Sequence, residues 1–543
     1  MSNWGRKIIS AIAISSLLAI TSYFMLDLKI PGMPMFHDSN PHIARMIAYH
    51  TALDDGQYPP MWAKEVLGGI GSPVMMLNYQ LPYMVSEVFV RMGMTIFDSY
   101  KLVLALSFVG SGLLMYLALK ARFGMIASYL GAVVYTLAPY RLLDIYVRGA
   151  LGEAVSFIFP PLLIWGFAKR SWPILILGWA GLFLTHPVAS ACFSAFFLGY
   201  ILLVSERESV MTKLKLFFGP YLVALGIAAF NLLPTLALTK YTYYSPTLSD
   251  TLEMFPTFSQ LIHSPWGYGV SLPGQNDGMS FEIGYVQWIL LVIGLLAGFK
   301  AKAREMRYLI GACLVAIFFI LPISMPVYKL LHLTAIIDFP WRLLMCTIFA
   351  TAWIGAQLIE QLPNRSLKKT FLIIGVVFLF VQTSPISHTN DYWDRNLSWF
   401  ARETGDSYGE YAPRTRVTRD SAPFGERAEF VQGEGEIISQ IEKSNRQQYL
   451  VKSQGEGEIR INTTYFPGWQ IPPNCFVTKR TLSHIDDSGL IGCRVPSGEQ
   501  IIEIQFVAPP VQRVGNLVTL AGIGVYLWIL FRSYYPHLTK KTR

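Results

Sequence analysis

Charge is what this sequence has least of. Asp, Glu, Lys and Arg make up 15% of its 543 residues, against roughly 25% in a typical soluble domain. That deficit goes with repeated apolar runs near the ~20 residues needed to cross a bilayer. A soluble globular protein is excluded, and a polytopic α-helical membrane protein is expected. Nucleotide and hydrolase signatures are missing too: there is no Walker A loop, no Gly-x-Ser-x-Gly elbow, no His-Glu-x-x-His and no Rossmann glycine fingerprint. ATP hydrolysis, serine-esterase chemistry and nicotinamide binding therefore have no support. No small-x-small cleavage pattern follows the first apolar segment, Ile8 to Met25, which reads as an uncleaved first helix. The mid-membrane polar groups and repeated halves of a secondary transporter are also lacking.

What is present is a regular alternation. Candidate spans lie at 8–25, 101–119, 124–139, 150–168, 172–186, 188–204, 216–238, 284–300, 308–323, 342–360, 370–386 and 513–531, about twelve transmembrane helices. With the N-terminus inside, every second connection is basic: Arg6 and Lys7; Lys120 and Arg122; Lys169 and Arg170; Arg207, Lys213 and Lys215; Lys300 to Arg307; Arg365, Lys368 and Lys369; and the C-terminal tail. Short cytoplasmic loops are enriched in Lys and Arg, so these mark the cytoplasmic face. Two further apolar stretches, 72–90 and 324–338, would invert every later loop if either one alone crossed. Both are expected as interfacial or re-entrant helices on the outer face, in keeping with Asn78, Pro82 and Glu87 in the first. The chemically rich segments then share the outer side: the loop after the first helix, 140–153, 239–283, 338–342 and 387–511.

Residues 1–386 form the expected transmembrane domain, 387–511 an extracytoplasmic, mainly β, sandwich-like domain, and 512–543 the final helix and cytoplasmic tail. Segment 387–511 carries 17 acidic and 13 basic residues, a net charge of −4, which leaves +13 on the rest of a +9 chain. The positive charge is thus mostly loop anchoring, and it is no argument for nucleic acid. Alternating runs such as "EIRINTTYF", "LIGCRV" and "EQIIEIQFV", parted by Pro- and Gly-bearing turns, read as antiparallel strands. Of five cysteines, Cys192, Cys313 and Cys346 fall in helices as small apolar residues. Cys475 and Cys493 flank a predicted hairpin, where a disulfide is compatible with an oxidising compartment but spacing alone does not fix the geometry.

Four constellations carry chemistry. The first is "FHDSNPH", with His37, Asp38 and His42. Three roles fit Asp38: N-cap of a helix starting near Pro41, general base toward an acceptor hydroxyl, or divalent metal ligand together with His42. Capping and base roles are not exclusive. The second is "YRLLDIYVRGALGEA", with Arg141, Asp144, Arg148 and Glu153. Arg suits phosphate recognition, whereas an Arg148–Glu153 ion pair is the purely structural alternative. The third, 263–284, sets Trp266, Asp277 and Glu282 among glycines and prolines. It suits stacking on and hydrogen bonding to a sugar ring, as an ordinary long loop also would. The fourth is "DFPWR", where Arg342 suits either a phosphate or an interface anchor.

Taken in order, "FHDSNPHIARM", "DGQYPPMW", "GSPVMMLNYQLPY", "YVRGALGEA", "SPWGYG", "FPWR" and "YFPGWQ...VPSGEQ" resemble the bacterial membrane proteins labelled 6-pyruvoyl-tetrahydropterin-synthase-related. These are in turn similar to the GT-C superfamily of polyprenyl-phosphate-sugar-dependent glycosyltransferases. The resemblance covers nearly the whole chain. Pterin chemistry does not carry over, since no small zinc-enzyme domain is visible. The resemblance implies that Asp38, in the first outer loop, deprotonates or orients the acceptor. It implies phosphate contacts from Arg148, Arg342 and Arg141, and sugar or acceptor contacts from His37, His42, Tyr79, Glu153, Trp266, Asp277 and Glu282. No cofactor is required, and a divalent metal stays open through Asp38 and His42. The implied partners are a polyprenyl-phosphate sugar donor, a glycan or lipid acceptor and membrane lipids. The site would face outward from a bacterial cytoplasmic membrane, in one cavity shared by Asp38, Arg148, Glu153, Asp277 and Arg342. The alternative is a non-catalytic flippase or assembly partner for lipid-linked glycans.

Overall fold

The computed structural model describes residues 3–204, 208–244, 254–271, 278–298, 304–402, 409–415, 426–478 and 489–539. An apolar helix lies at each of the twelve expected segments. Among the described residues, seven helices are long and apolar enough to cross a membrane, or nine if two bent pairs each count as one span. Three more apolar helices, Lys7–Tyr23, Trp172–Thr185 and Tyr285–Ala297, are shorter. The chain is built to pass through a membrane several times.

The first helices position the site. They are α1 (Asn3–Tyr23), α2 (Ser39–Asp54), α3 (Val74–Leu77), α4 (Leu81–Arg91), α5 (Ile96–Lys120), α6 (Met125–Thr136), α7 (Pro139–Tyr146) and α8 (Leu151–Ser156). The expected 124–139 span stops early. Ala138 precedes a proline and is driven to extended backbone (ψ 140°), so the chain bends by 43° between α6 and α7. Another expected span, 216–238, is displaced. A helix starts at Val210, where the Ser209 hydroxyl accepts a bond from Thr212 N, and ends at Ile227; a separate helix, Ala229–Leu238, follows.

The 72–90 stretch is not one helix but the short α3 and α4. Asn78 is extended between them. The broken turn leaves backbone carbonyls that need donors inside an apolar setting. Asn231 Nδ2 supplies Asn78 O at 2.7 Å and Met76 O at 3.3 Å, and Thr235 Oγ1 supplies Leu77 O at 3.0 Å. Stretch 324–338 likewise holds a short helix, Met325–Leu331, and a 3-10 turn, Leu333–Ala335, with the preceding helix bent away by 83°.

Strand β1 (Met33–Pro34) pairs with β2 (Tyr392–Trp393), so the segment after residue 387 lies across the start of the chain. The β region comprises β3 (Ala428–Gln432), β4 (Gly435–Lys443), β5 (Arg446–Ser453), β6 (Gly457–Thr464), β7 (Trp469–Gln470), β8 (Cys475–Val477), β9 (Leu490–Val495) and β10 (Gly498–Phe506). They form two four-stranded antiparallel sheets, ordered β4-β5-β10-β7 and β3-β6-β9-β8. Every second residue of β5, from Gln447 to Ser453, is buried, as expected for a strand with one packed face. Cys475 faces Cys493 across β8 and β9, and their sulfurs are bonded.

This β region grips the loop between α2 and α3. Trp62 is fully buried, with its ring 5.4 Å from Trp469 and 5.2 Å from Phe506. Gln57 Nε2 donates to Ser444 Oγ at 2.7 Å, Asp55 accepts from Ser444 N at 2.6 Å, and Thr464 N donates to Ile70 O at 2.8 Å. The gripped loop runs directly into α3 and α4, with Tyr79 between them and Tyr83 on α4.

Candidate active site

Loop 36–39 is held against the turn between α7 and α8. His37 N donates to Val147 O at 3.0 Å and Asp38 N to Arg148 O at 2.9 Å. The approach is close because residue 149 is glycine. Its φ is +59°, and a Cβ there would lie 2.4 Å from the Tyr100 hydroxyl and 2.6 Å from the Phe36 ring. The Tyr100 hydroxyl donates to Gly149 O at 2.6 Å, which fixes the turn from the far side.

Asp38 sits at the N-cap position of α2, yet its side chain makes no capping bond. The carboxylate is half-buried and makes no side-chain hydrogen bond or ion pair among the described residues. Its charge is felt at His42, Tyr79, Tyr83, Tyr100 and Arg148. A side-chain cap is therefore not what Asp38 does here.

His42 is buried and both ring nitrogens are engaged. Nδ1 lies 2.9 Å from the Tyr83 hydroxyl, and Nε2 takes the Leu151 N–H at 3.4 Å. A backbone N–H can only donate, so Nε2 is the acceptor and Nδ1 carries the proton. Burial drives the imidazole pKa down to about 3, so it is neutral at pH 7. A metal shared by Asp38 and His42 would need a nitrogen lone pair that is already used. Among the described residues no group of three or more His, Cys, Asp or Glu could hold a metal ion.

Tyr79 joins this half of the site to the next. Its ring stacks on Tyr83 (centroids 6.0 Å, 5° between planes) and leans on His186 at 6.3 Å. It fits because residue 152 is glycine: a Cβ there would lie 2.4 Å from the Tyr79 ring. Burial, then the neighbouring Tyr83, raises its hydroxyl well above the usual range, so it stays protonated and able to donate.

Beyond Tyr79 lies a buried ionic cluster. Arg148 Nη1 contacts Asp144 at 2.5 Å and Glu153 at 2.7 Å, and its guanidinium lies 4.6 Å from the Trp341 ring. Arg342 Nε is 3.5 Å from the same Glu153 oxygen, and its Nη1 pairs with Asp338. Tyr140 donates to Glu153, and His186 Nε2 is 4.0 Å away. The Arg148–Glu153 pair exists, but as part of a network spanning α7, α8 and the start of the Pro340–Glu360 helix.

The remaining expected residues divide. Arg141 is fully buried with its guanidinium 4.0 Å from the Phe157 ring, and it donates to Ser111 Oγ at 3.1 Å. That leaves it no face for a phosphate, and the expectation of a phosphate contact fails on access. His37 Nε2 donates to Tyr268 O at 3.1 Å, linking the Asp38 loop to the glycine-rich loop. Trp266 is half-buried beside Tyr268. Glu282 stands apart from the cluster: it takes His263 Nδ1 at 3.0 Å and Ser264 N at 3.2 Å, and burial raises its pKa. Asp277 lies outside the described residues. Of the residues expected to share one cavity, Arg148 and Arg342 both meet Glu153, and Asp38 lies within electrostatic reach of Arg148. Tyr83, Tyr100, Tyr140, His186 and Asp338 were missed. Tyr83 stood in the "GSPVMMLNYQLPY" motif, but Tyr100 and His186 lie in or beside apolar helices with nothing local to mark them.

No family model matches the chain. An "Uncharacterized protein" of Lactococcus lactis subsp. cremoris (strain MG1363) is 27% identical over 245 residues, 40% of this chain and 39% of that one. Among solved structures, the mycobacterial arabinofuranosyltransferase AftD superposes with a TM-score of 0.47 at 12% identity, covering 69% of this chain and 27% of AftD. A mutant form of AftD gives 0.42 at 15% identity, covering 68% and 27%. The chain thus spans about two fifths of the curated relative and about a quarter of the solved chains. At these values the likenesses carry no argument about activity.

Proposed function

We propose that this chain is a membrane glycosyltransferase that takes a monosaccharide from a polyprenyl-phosphate carrier and passes it to a glycan or lipid acceptor outside a bacterial cytoplasmic membrane. The observation that carries this reading is the Asp38 carboxylate. It occupies a cap position without capping, keeps part of its surface open, and sits within electrostatic reach of a tyrosine shell and Arg148. A free carboxylate next to buried donors is suited to take a proton. The acceptor hydroxyl would attack C1 of the sugar as the C1–O bond to the lipid phosphate breaks. The proton goes to Asp38 and the electron pair leaves with the phosphate, with inversion at C1. Phosphate leaves readily, so cations to hold it matter more than a separate acid. Arg342, 14% exposed at its side chain, is better placed than Arg148 at 6%. Tyr79, protonated between the two halves, can donate to a sugar or phosphate oxygen. The outward orientation rests on the Lys/Arg alternation.

One observation favours the second reading, a non-catalytic flippase or assembly partner. Arg148 and Arg342 are already paired with Asp144, Glu153 and Asp338, so neither arginine depends on a ligand for a counter-charge. The test uses purified protein in liposomes loaded with polyprenyl-phosphate-linked sugars. Release of free polyprenyl phosphate together with a glycosylated acceptor supports the transferase. Movement of intact lipid-linked sugar between leaflets, with no release, supports the flippase.

A further inference from the structure

At the end of α6 opposite the α7 cluster, α1, α6 and the Arg365–Thr383 helix leave a lateral cleft. It measures 380 Å³, inside the range of small-molecule sites. Its walls are apolar, among them Ile12, Ile126, Leu372 and Val376. Its polar groups satisfy each other, Ser16 Oγ donating to the Tyr129 hydroxyl at 3.0 Å. A second hollow of 150 Å³ shares Met125 and Ile126 with the cleft and is walled by Gly124, Glu360, Arg365 and Lys368. The pair reads as a greasy slot with a polar, basic mouth.

The charges at the mouth are not all spent. Glu360 takes the Gly124 N–H at 2.9 Å and lies 3.6 Å from Lys368 Nζ. Arg365 is exposed and has no carboxylate partner among the described residues. Leu372 and Val377 follow Arg365 on the same helix by about 10 and 18 Å along the axis. An acyl chain has to cover such a distance when its headgroup sits on Arg365. The mouth also lies among the basic connections 120–124 and 361–369, where anionic lipids are attracted to Lys and Arg.

We propose that this cleft binds one anionic glycerophospholipid, its acyl chain between α1, α6 and the Arg365–Thr383 helix and its phosphate on Arg365 and Lys368. The site is distinct from the Asp38 cluster. From Tyr129, the deepest cleft residue on α6, to the helix end at Thr136 is about 10 Å along the axis, none of the Asp38 cluster lines the cleft, and the proposal does not depend on the transferase reading.

The test is native mass spectrometry of the full-length protein in detergent, titrated with phosphatidylglycerol, phosphatidylcholine of the same acyl composition, and polyprenyl phosphate. Phosphatidylglycerol is expected to bind about fivefold more tightly than phosphatidylcholine for the free arginine alone. Arg365→Glu, on an exposed position that leaves folding intact, is expected to abolish that preference. Ile126→Trp with Val376→Trp is expected to fill the cleft and reduce binding of both phospholipids. Equal binding of the two phospholipids by wild type, an Arg365→Glu variant that keeps the preference, or preferred binding of polyprenyl phosphate would each overturn the proposal.

Discussion

Asp38 and Glu153 are carboxylates in the two halves of the candidate site, and the fold treats them in opposite ways. Glu153 is 1% exposed and receives Arg148, Arg342 and Tyr140, with His186 close by. Asp38 is half-buried and its side chain receives nothing among the described residues. A buried charge survives only with partners, so Glu153 and its arginines hold one another in place. An open carboxylate contributes little to stability and remains free for a ligand or a proton. The contrast separates a group that organises the site from one that is available to react.

Several perturbations should break or sharpen that contrast. The largest effect is expected on the paired side. Arg148→Met strands Asp144 in the interior and takes from Glu153 its nearest cation, and removing one partner of a buried pair costs about 3–5 kcal/mol. Thermal unfolding in detergent should show it, and an unchanged midpoint would mean that the carboxylates take up protons instead. Next comes Gly152→Ala. The new Cβ, 2.4 Å from the Tyr79 ring, forces that ring away at an overpacking cost of about 1–3 kcal/mol. Reduced stability with reduced substrate turnover is expected, and full turnover would remove Tyr79 from the site.

A smaller effect concerns pH. The His42 imidazole has a folded pKa of about 3 against 6.5 when unfolded. Between these values the unfolded chain binds the extra proton, so this histidine's contribution is full above pH 6.5 and lost as pH falls toward 3. The loss is about 1.4 kcal/mol per pH unit below 6.5. Comparing unfolding midpoints of wild type and His42→Gln from pH 7 to pH 5 isolates it. Parallel curves would show that His42 is not buried as described.

The helices were legible because apolar composition reports them directly: a helix lies at each expected apolar segment, and among the described residues seven, or nine with the bent pairs, are long enough to cross a membrane. Their breaks were less so. The bend at Pro139 has a local cause hidden inside an apolar run, whereas the split of 72–90 into two short helices depends on which distant side chains satisfy the freed carbonyls, and Asn231 is 153 residues from Asn78. The β strands showed through their period-two alternation. Of the site, Asp38, Arg148 and Arg342 stood out as charges at the rim of apolar segments. Arg141 stood out for the same reason, yet it is sealed between Phe108 and Phe157. Local sequence cannot tell an arginine facing a cavity from one facing two aromatic rings. His186 and Tyr100 were invisible because their partners come from loops far away in the chain.

The account rests on Asp38 being a reacting group and not a structural one. The direct measurement is Asp38→Asn, scored in parallel for thermal midpoint and for release of polyprenyl phosphate from lipid-linked sugar in liposomes. Asn keeps the shape and the capping ability of Asp, and the wild-type side chain has no partner to lose. The expected result is an unfolding midpoint equal to wild type with transfer abolished. Transfer at the wild-type rate by a normally folded Asp38→Asn protein would contradict it.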